Sequence, residues 1–392
     1  MESYIHLYGT NSEFTAAYNG PDYKEPWLSL TEENMTIGYS KPKLTAITFD
    51  SITWVTDVPA KGGTATKDNC EFKVYGIYED GTSVDISSDA IVTGELVVPS
   101  STEAQRQEVG QLTLTASYGG FSATGNVTAY QAAFDPSKEP LTFNILSAGT
   151  INWTTSKIAG KKTIEYKLNS NKWTSIISNT GSSAPSITVN SGDKLQFRGN
   201  NTQYATSHSN YNSFSGSTAL FEVEGNIMSL IYGDEFKNNS TISSEYAFAK
   251  LFQNCVNLVS AENLILPATT LAERCYLSMF QGCTSLTTAP ELPATTLADY
   301  CYNSMFGGCT SLTTAPVLPA TTLANYCYWN MFYGCTSLNY IKCLATSISA
   351  SDCTNNWVSG VASTGTFVKS SSMTSWSTGT SGIPTGWTVQ DA

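Results

Sequence analysis

LTTAPELPATTLADYCYNSMFGGCTS, residues 286–311, is followed without a gap by LTTAPVLPATTLANYCYWNMFYGCTS, residues 312–337. The two lines are the same sentence with a period of 26 residues, Leu286 to Leu312. A partial copy precedes them: Leu258 to Ser285 carries LPATTLAERCYLSMFQGCTS behind a two-residue insertion. A degenerate copy follows, in which Cys353 keeps the phase of Cys275, Cys301 and Cys327. Upstream, in EYAFAKLFQNC, Leu251, Phe252 and Cys255 share the phases of Met279, Phe280 and Cys283. Self-similarity at this period marks a solenoid, because one unit alone cannot bury its apolar face and must stack on the next. The rest of the chain is therefore expected either to present such a stack or to cap it.

Within a unit, Leu312, Leu318 and Leu323 mark an extended half, and Pro316 and Pro319 exclude helix there. In NYCYWNMFYGC, Cys327, Met331, Phe332 and Cys335 fall at i, i+4, i+5 and i+8, which predicts one helical face closed by Gly334. Fixed positions are expected to be core, and changing ones surface. Leu277, Asn303 and Trp329 form one changing column, and Gln281, Gly307 and Tyr333 another four residues on, so a helix would put both on one outer stripe. Trp329 with Tyr333 is its fully aromatic member: the pair suits stacking on a sugar ring, anchoring a protein partner, or covering the degenerate last unit.

Composition narrows the function classes. The 392 residues are too many for one ordinary domain. A net charge of −12 gives no counterion-release energy on a phosphate backbone, so nucleic acid is excluded as a partner. No window reaches 18 apolar residues, so no membrane insertion is expected. MESYIHLYGTNSEFTAAYNG lacks a basic n-region and an apolar h-region. Either a leader has been removed or the protein folds in the cytoplasm.

The ten cysteines first suggest staples or metal. Nine lie at or after Cys255, seven of them in two phases of the repeat. Residues eight apart on a helix are separated by about 12 Å of rise, beyond the ~7 Å Cα reach of a disulfide. There is no CxxC pair, and the histidines are His6 and His208. Small thiols filling equivalent core slots is the reading that remains, with no metal and no cofactor expected.

Five segments follow. Residues 1–44 carry Tyr4, Tyr8, Phe14, Tyr18, Tyr23, Trp27 and Tyr39 among Gly and Pro, either an arm packed on the next domain or a docking segment for a partner. Residues 45–133 alternate with period two and turn at Glu79–Gly81 and at Gly119–Gly120, predicting hairpins of an immunoglobulin-like β-sandwich. Residues 134–233 form a second β-module, with a long polar run from Gly199 to Gly216 holding Tyr204, His208 and Tyr211 as a secondary contact candidate. The repeat occupies 234–362. Residues 363–392 cap it, using Phe367, Trp376 and Trp387 beside Val358 and Val361 of the last unit. The fold class expected is mainly β with a C-terminal α/β repeat.

VYGIYEDGTSVDIS and ASYGGFSATGNVTAY resemble bacterial immunoglobulin-like domains of adhesins and phage virion proteins. Leu286, Leu292, Pro293, Met305, Phe306, Cys309 and Leu312 follow the frame of the BspA-type leucine-rich repeat, which the unit resembles although it is longer than the commonest form. The layout from EPWLSLTEEN through RGNN and EGNIMSLIYG to GTFVK and SGIPTGWTVQ is similar to surface proteins of Bacteroides and virion proteins of their crAss-like phages. The resemblance implies attachment rather than chemistry: a virion-surface head fibre, capsid decoration or tail fibre, homo-oligomeric, docked on other virion proteins through residues 1–44 and facing a glycan or bacterial surface ligand. A cell-surface adhesin is the alternative, and the missing export signal favours the virion.

An enzyme is the remote third reading. Glu273 and Asp299 share one phase, and stacking could bring carboxylates to the ~5–9.5 Å of a glycosidase pair. An open face, however, gives no desolvation to separate their pKa values, and no Walker loop, HExxH or calcium loop appears. No catalytic residue is expected.

Overall fold

The computed structural model describes residues 25–31, 34–40, 42–60, 62–98, 105–374 and 376–392. Tyr4, Tyr8, Phe14, Tyr18 and Tyr23 lie outside them. Strand outweighs helix, 38% to 6%, in several sheets of which none is closed, so the fold is mainly β. The chain divides into two compact units, with the boundary between Asp135 and Pro136.

In the first unit Glu25–Thr31 pairs antiparallel with Asn34–Ser40, with Trp27 opposite Gly38. Leu44–Trp54, Cys70–Tyr78 and Ser83–Asp85 form one antiparallel sheet. Ile91–Thr93, Gln107–Tyr118 and Phe121–Gln131 form another. Both expected hairpins are present. Gly81 closes the first with φ +82°, its N–H on the Tyr78 carbonyl. Gly119 and Gly120 supply the two left-handed residues that a two-residue hairpin turn requires, between the paired Tyr118 and Phe121. Alternation along Cys70–Tyr78 turns Val74 inward and Lys73 outward, and Val74 meets Ile47, Leu112, Leu114 and Val98 in the core.

The second unit begins as an antiparallel sheet in the order Thr174–Ile177, Thr163–Leu168, Lys194–Arg198, Leu141–Ile145, Phe221–Asn226. At Phe221–Asn226 the pairing changes sense. Its free edge takes Leu258–Ser260 and Leu264–Ile265 in parallel, and parallel bridges between equivalent residues of successive repeats carry the ladder on, as at Ser260 with Thr288 and Thr314 with Tyr340. Tyr340–Cys343, Thr366–Lys369 and Thr388–Asp391 end it as three parallel strands. No break in packing falls at residue 233 or 362. One core runs from Phe143, Trp153 and Phe214 through Phe252 and Phe306 to Trp357, Phe367 and Trp387.

The half of each repeat expected as helix is not helical. From Arg274 to Cys283, odd-numbered N–H groups close local turns, such as Cys275 on the Ala272 carbonyl and Met279 on that of Tyr276. Even-numbered N–H groups cross to the next unit, such as Tyr276 on the Cys301 carbonyl and Phe280 on that of Met305. The same alternation joins the following two units, as in Tyr302 to Cys327 and Tyr328 to Cys353. An α-helix spends every interior N–H within itself; here half are given to a neighbour. Every fourth residue has positive φ: Arg274, Ser278 and Gly282, then Tyr300, Ser304 and Gly308, then Tyr326, Asn330 and Gly334. A left-handed residue in each turn ends any α-helix and sets a period of four. Period four satisfies i+4 and i+8 as well as a helix does, which is why the spacing misled. The α/β repeat is thus corrected to strand and turn.

Period four also sorts the side chains into columns. Facing inward, Phe248, Tyr276, Tyr302 and Tyr328 stack with ring centroids 5.8, 5.8 and 6.2 Å apart. Phe252, Phe280, Phe306 and Phe332 stack beside them at 5.3, 5.5 and 5.8 Å. Trp357 covers the far end of both columns, 6.1 Å from Tyr328 and 6.2 Å from Phe332, and Trp376 stacks on it at 5.6 Å.

All ten cysteines are free, and all but Cys70 are buried. Cys283, Cys309 and Cys335 each donate the thiol to the carbonyl of Phe252, Phe280 and Phe306 in the preceding unit, at 3.0, 3.1 and 3.0 Å. Among the described residues no group of three or more His, Cys, Asp and Glu could hold a metal ion.

Candidate functional site

The turn ribbon has an outward column directly beside the cysteine column. Tyr246, Arg274, Tyr300 and Tyr326 occupy the same phase in successive units, each at positive φ and each partly exposed. The Arg274 guanidinium lies 5.5 Å from the Tyr246 ring centre and 4.6 Å from that of Tyr300. Tyr300 and Tyr326 stack at 4.5 Å, 5° from parallel, and Trp329 leans on Tyr326 at 5.5 Å and 45°. A cation between aromatic faces contributes roughly 0.5–1 kcal/mol per contact at exposed sites. Because neighbours cover the ring faces, the column offers solvent mainly ring edges and phenol hydroxyls. Partial desolvation, then Tyr326, pushes the Tyr300 hydroxyl above its usual pKa, so it stays protonated as a hydrogen-bond donor.

The hairpin Ala205–Ser207 and Asn210–Ser213 continues this face beyond the first repeat. Tyr204 N–H reaches the Ala247 carbonyl and Phe214 N–H that of Leu251, so the polar run Gly199–Gly216 is the rung that precedes the stack. Tyr204 is a core residue, fully buried, with its hydroxyl on the Leu230 carbonyl at 2.6 Å. His208 at the hairpin tip is exposed, 6.1 Å from the Tyr246 ring, and desolvation followed by Lys250 and Arg274 lowers its pKa. Lys250 sits 4.7 Å over Tyr211 and donates to the His208 carbonyl.

Of the residues chosen from the changing columns, Tyr333 is exposed and Trp329 is half-buried. Leu277 is fully buried with Ala205 and Ala249 beneath Tyr211, Tyr246 and Tyr300, where no ligand meets it. Asn303 is buried and accepts the Ser304 hydroxyl. Gln281 is half-buried and accepts from Gln253 at 2.6 Å. These five do not form one surface, because with four residues per turn the column of Leu277, Asn303 and Trp329 passes under the hairpin at one end and emerges at the other. Trp27 lies in the strand Glu25–Thr31. This column is legible in the repeat as the residue just before Ala247, Cys275, Cys301 and Cys327, which is Tyr in three copies and Arg in one.

The acid phase is tied into the scaffold. Glu273 pairs with Arg274, and Asp299 accepts the Asn325 backbone N–H at 3.1 Å and its side-chain amide at 3.2 Å. Asn325 in turn accepts the Ser351 N–H at 2.9 Å. This phase caps backbone donors from one unit to the next.

No protein-family model, no curated protein and no solved structure matches the chain. Among the described residues no helix is long and apolar enough to cross a membrane.

Proposed function

We propose that the protein is a non-enzymatic attachment protein of a phage particle, a head fibre, capsid decoration or tail-associated fibre. In this reading residues 136–392 form a leucine-rich-repeat solenoid built on a β-module, residues 45–133 an immunoglobulin-like spacer, and the N-terminal segment with its hairpin docks on other virion proteins. The observation that carries the reading is the outward Tyr246–Arg274–Tyr300–Tyr326 column with Trp329. It repeats a partly exposed row of tyrosines with one arginine that the core does not need, on a scaffold whose Glu273 and Asp299 are engaged structurally. Rows of that kind serve multivalent recognition of a surface, where many weak contacts act together. The similarity to virion and surface proteins of the Bacteroides system supports the same class.

Mass spectrometry of purified particles is expected to find the chain. Particles carrying Tyr300→Ala with Tyr326→Ala are expected to adsorb to host cells about tenfold less, while assembling normally. Absence of the chain from particles would sink the virion assignment in favour of a cell-surface adhesin, and unchanged adsorption would remove the column from attachment.

A further inference from the structure

The second unit also holds a cleft of about 410 Å³ between the strands Gly149–Asn152 and Thr154–Thr155, the turn at Gly181–Ser183, and the segment that follows Asn210–Ser213. Its walls are hydroxyls and amides with a single aromatic, Tyr211, and no Asp, Glu, Lys or Arg lines it. We propose that this cleft binds a neutral saccharide, independently of the outward column on the repeat.

The polar groups are fixed before any ligand arrives. Thr154 Oγ1 lies 3.0 Å from Ser213 Oγ and 3.2 Å from Ser215 Oγ, and the two serine hydroxyls are 2.7 Å apart. On the facing side Ser186 donates to Asn152 Oδ1 at 2.8 Å, while Asn152 Nδ2 is held by the Gly216 carbonyl at 2.7 Å. A hydroxyl donates one hydrogen bond and accepts up to two, so members of these chains keep acceptor capacity facing the cleft. The Ser182 and Tyr211 hydroxyls make no hydrogen bond among the described residues. Groups held in place lose little entropy when a ligand binds.

Charge sets the ligand class. Lys250, over the Tyr211 ring and on the His208 carbonyl, and Lys157, on Ser209 Oγ at 3.2 Å, stay outside the lining. With no charged side chain in the lining, an anion entering the cleft would shed its water without a counter-charge in direct contact. A polyhydroxylated neutral ring instead exchanges water hydrogen bonds for a matched set of hydroxyls and amides. Gly181 at the rim has open space where a side chain would project, so the mouth is unobstructed.

The test is saturation-transfer NMR and calorimetry on the full chain with maltohexaose, cellohexaose and mannohexaose, with a heparin hexasaccharide as charged control. At least one neutral oligomer is expected to bind. Ser182→Trp, on an exposed residue at the mouth, should weaken it by about tenfold or more, and Tyr211→Phe, which keeps the ring, should weaken it measurably. Tyr326→Ala with Trp329→Ala, in the outward column and away from Tyr211, should leave it unchanged, so failure of the attachment reading and failure of this one are distinguishable. The proposal is overturned if no neutral oligomer binds at millimolar concentration, if Ser182→Trp leaves binding intact, if the charged control binds more tightly, or if the repeat variants abolish binding.

Discussion

Tyr300 and Tyr302 flank the same cysteine, and each stacks on a tyrosine 26 residues on, yet they live in opposite environments. Tyr302 is 2% exposed, between Tyr276 at 5.8 Å and Tyr328 at 6.2 Å. Tyr300 is at the surface, against Tyr326 at 4.5 Å and Arg274 at 4.6 Å. Burial therefore does not make the columns. The backbone does, because hydrogen bonds between equivalent positions force equivalent side chains into register, inside and out. What differs is the consequence: inside, register gives density and dryness; outside, it gives a row.

The sharpest way to separate the two faces is pH. Burial raises the thiols above the ordinary value of 9.0, with Cys275, Cys335 and Cys343 pushed up to about 12. Above pH 9 the unfolded chain gives up these protons while the folded chain keeps them. Stability is therefore fully present below pH 9 and falls as pH rises from there towards 12. With nine buried thiols, cooperative alkaline unfolding of the second unit is expected in near-ultraviolet circular dichroism. A thermal midpoint unchanged between pH 8 and pH 11 would falsify the dry interior.

Next in size is Phe306→Ala, which opens a gap in a fully buried column between Phe280 and Phe332. A loss of about 3–5 kcal/mol in denaturant unfolding is expected, and a loss below about 1 kcal/mol would mean that the column collapses around the gap. Tyr276→Phe should act in the opposite direction. Its hydroxyl is buried without a partner, which costs roughly 1–3 kcal/mol, so the variant is expected to unfold at higher denaturant; a marked loss would show that the hydroxyl is satisfied by bound water. The smallest effect belongs to the outer face. Tyr333→Ala, at 55% exposure, should change stability by no more than about 0.5 kcal/mol, checked by the same denaturant curve.

Much of this was open to reading. The alternation of Cys70–Tyr78 and the paired glycines at 119–120 specify their hairpins locally, because a strand shows its two faces every second residue and a two-residue turn has few solutions. The near-identical copies marked the core columns, and nine of the thiols are buried, with Cys283, Cys309 and Cys335 each finding an acceptor in the preceding unit. The turn ribbon was not legible: i, i+4 and i+8 fit both 3.6 and 4 residues per turn over so short a run, and only the direction of the N–H groups distinguishes them. Leu277 shows the same limit at the site. It varies between copies like a surface residue, but the hairpin from the β-module covers that end of the stack.

By itself, then, the sequence determined the 26-residue period, the identity of the inner columns and the hairpins of the first unit, since each follows from spacing along the chain. The tertiary structure alone decided that the antiparallel module and the parallel stack share one core, through Phe221–Asn226 pairing both ways. It also decided that Tyr246, Arg274, Tyr300 and Tyr326 form a single outward row. Both depend on which backbone groups are left to bond sideways, and that is settled only when distant segments meet.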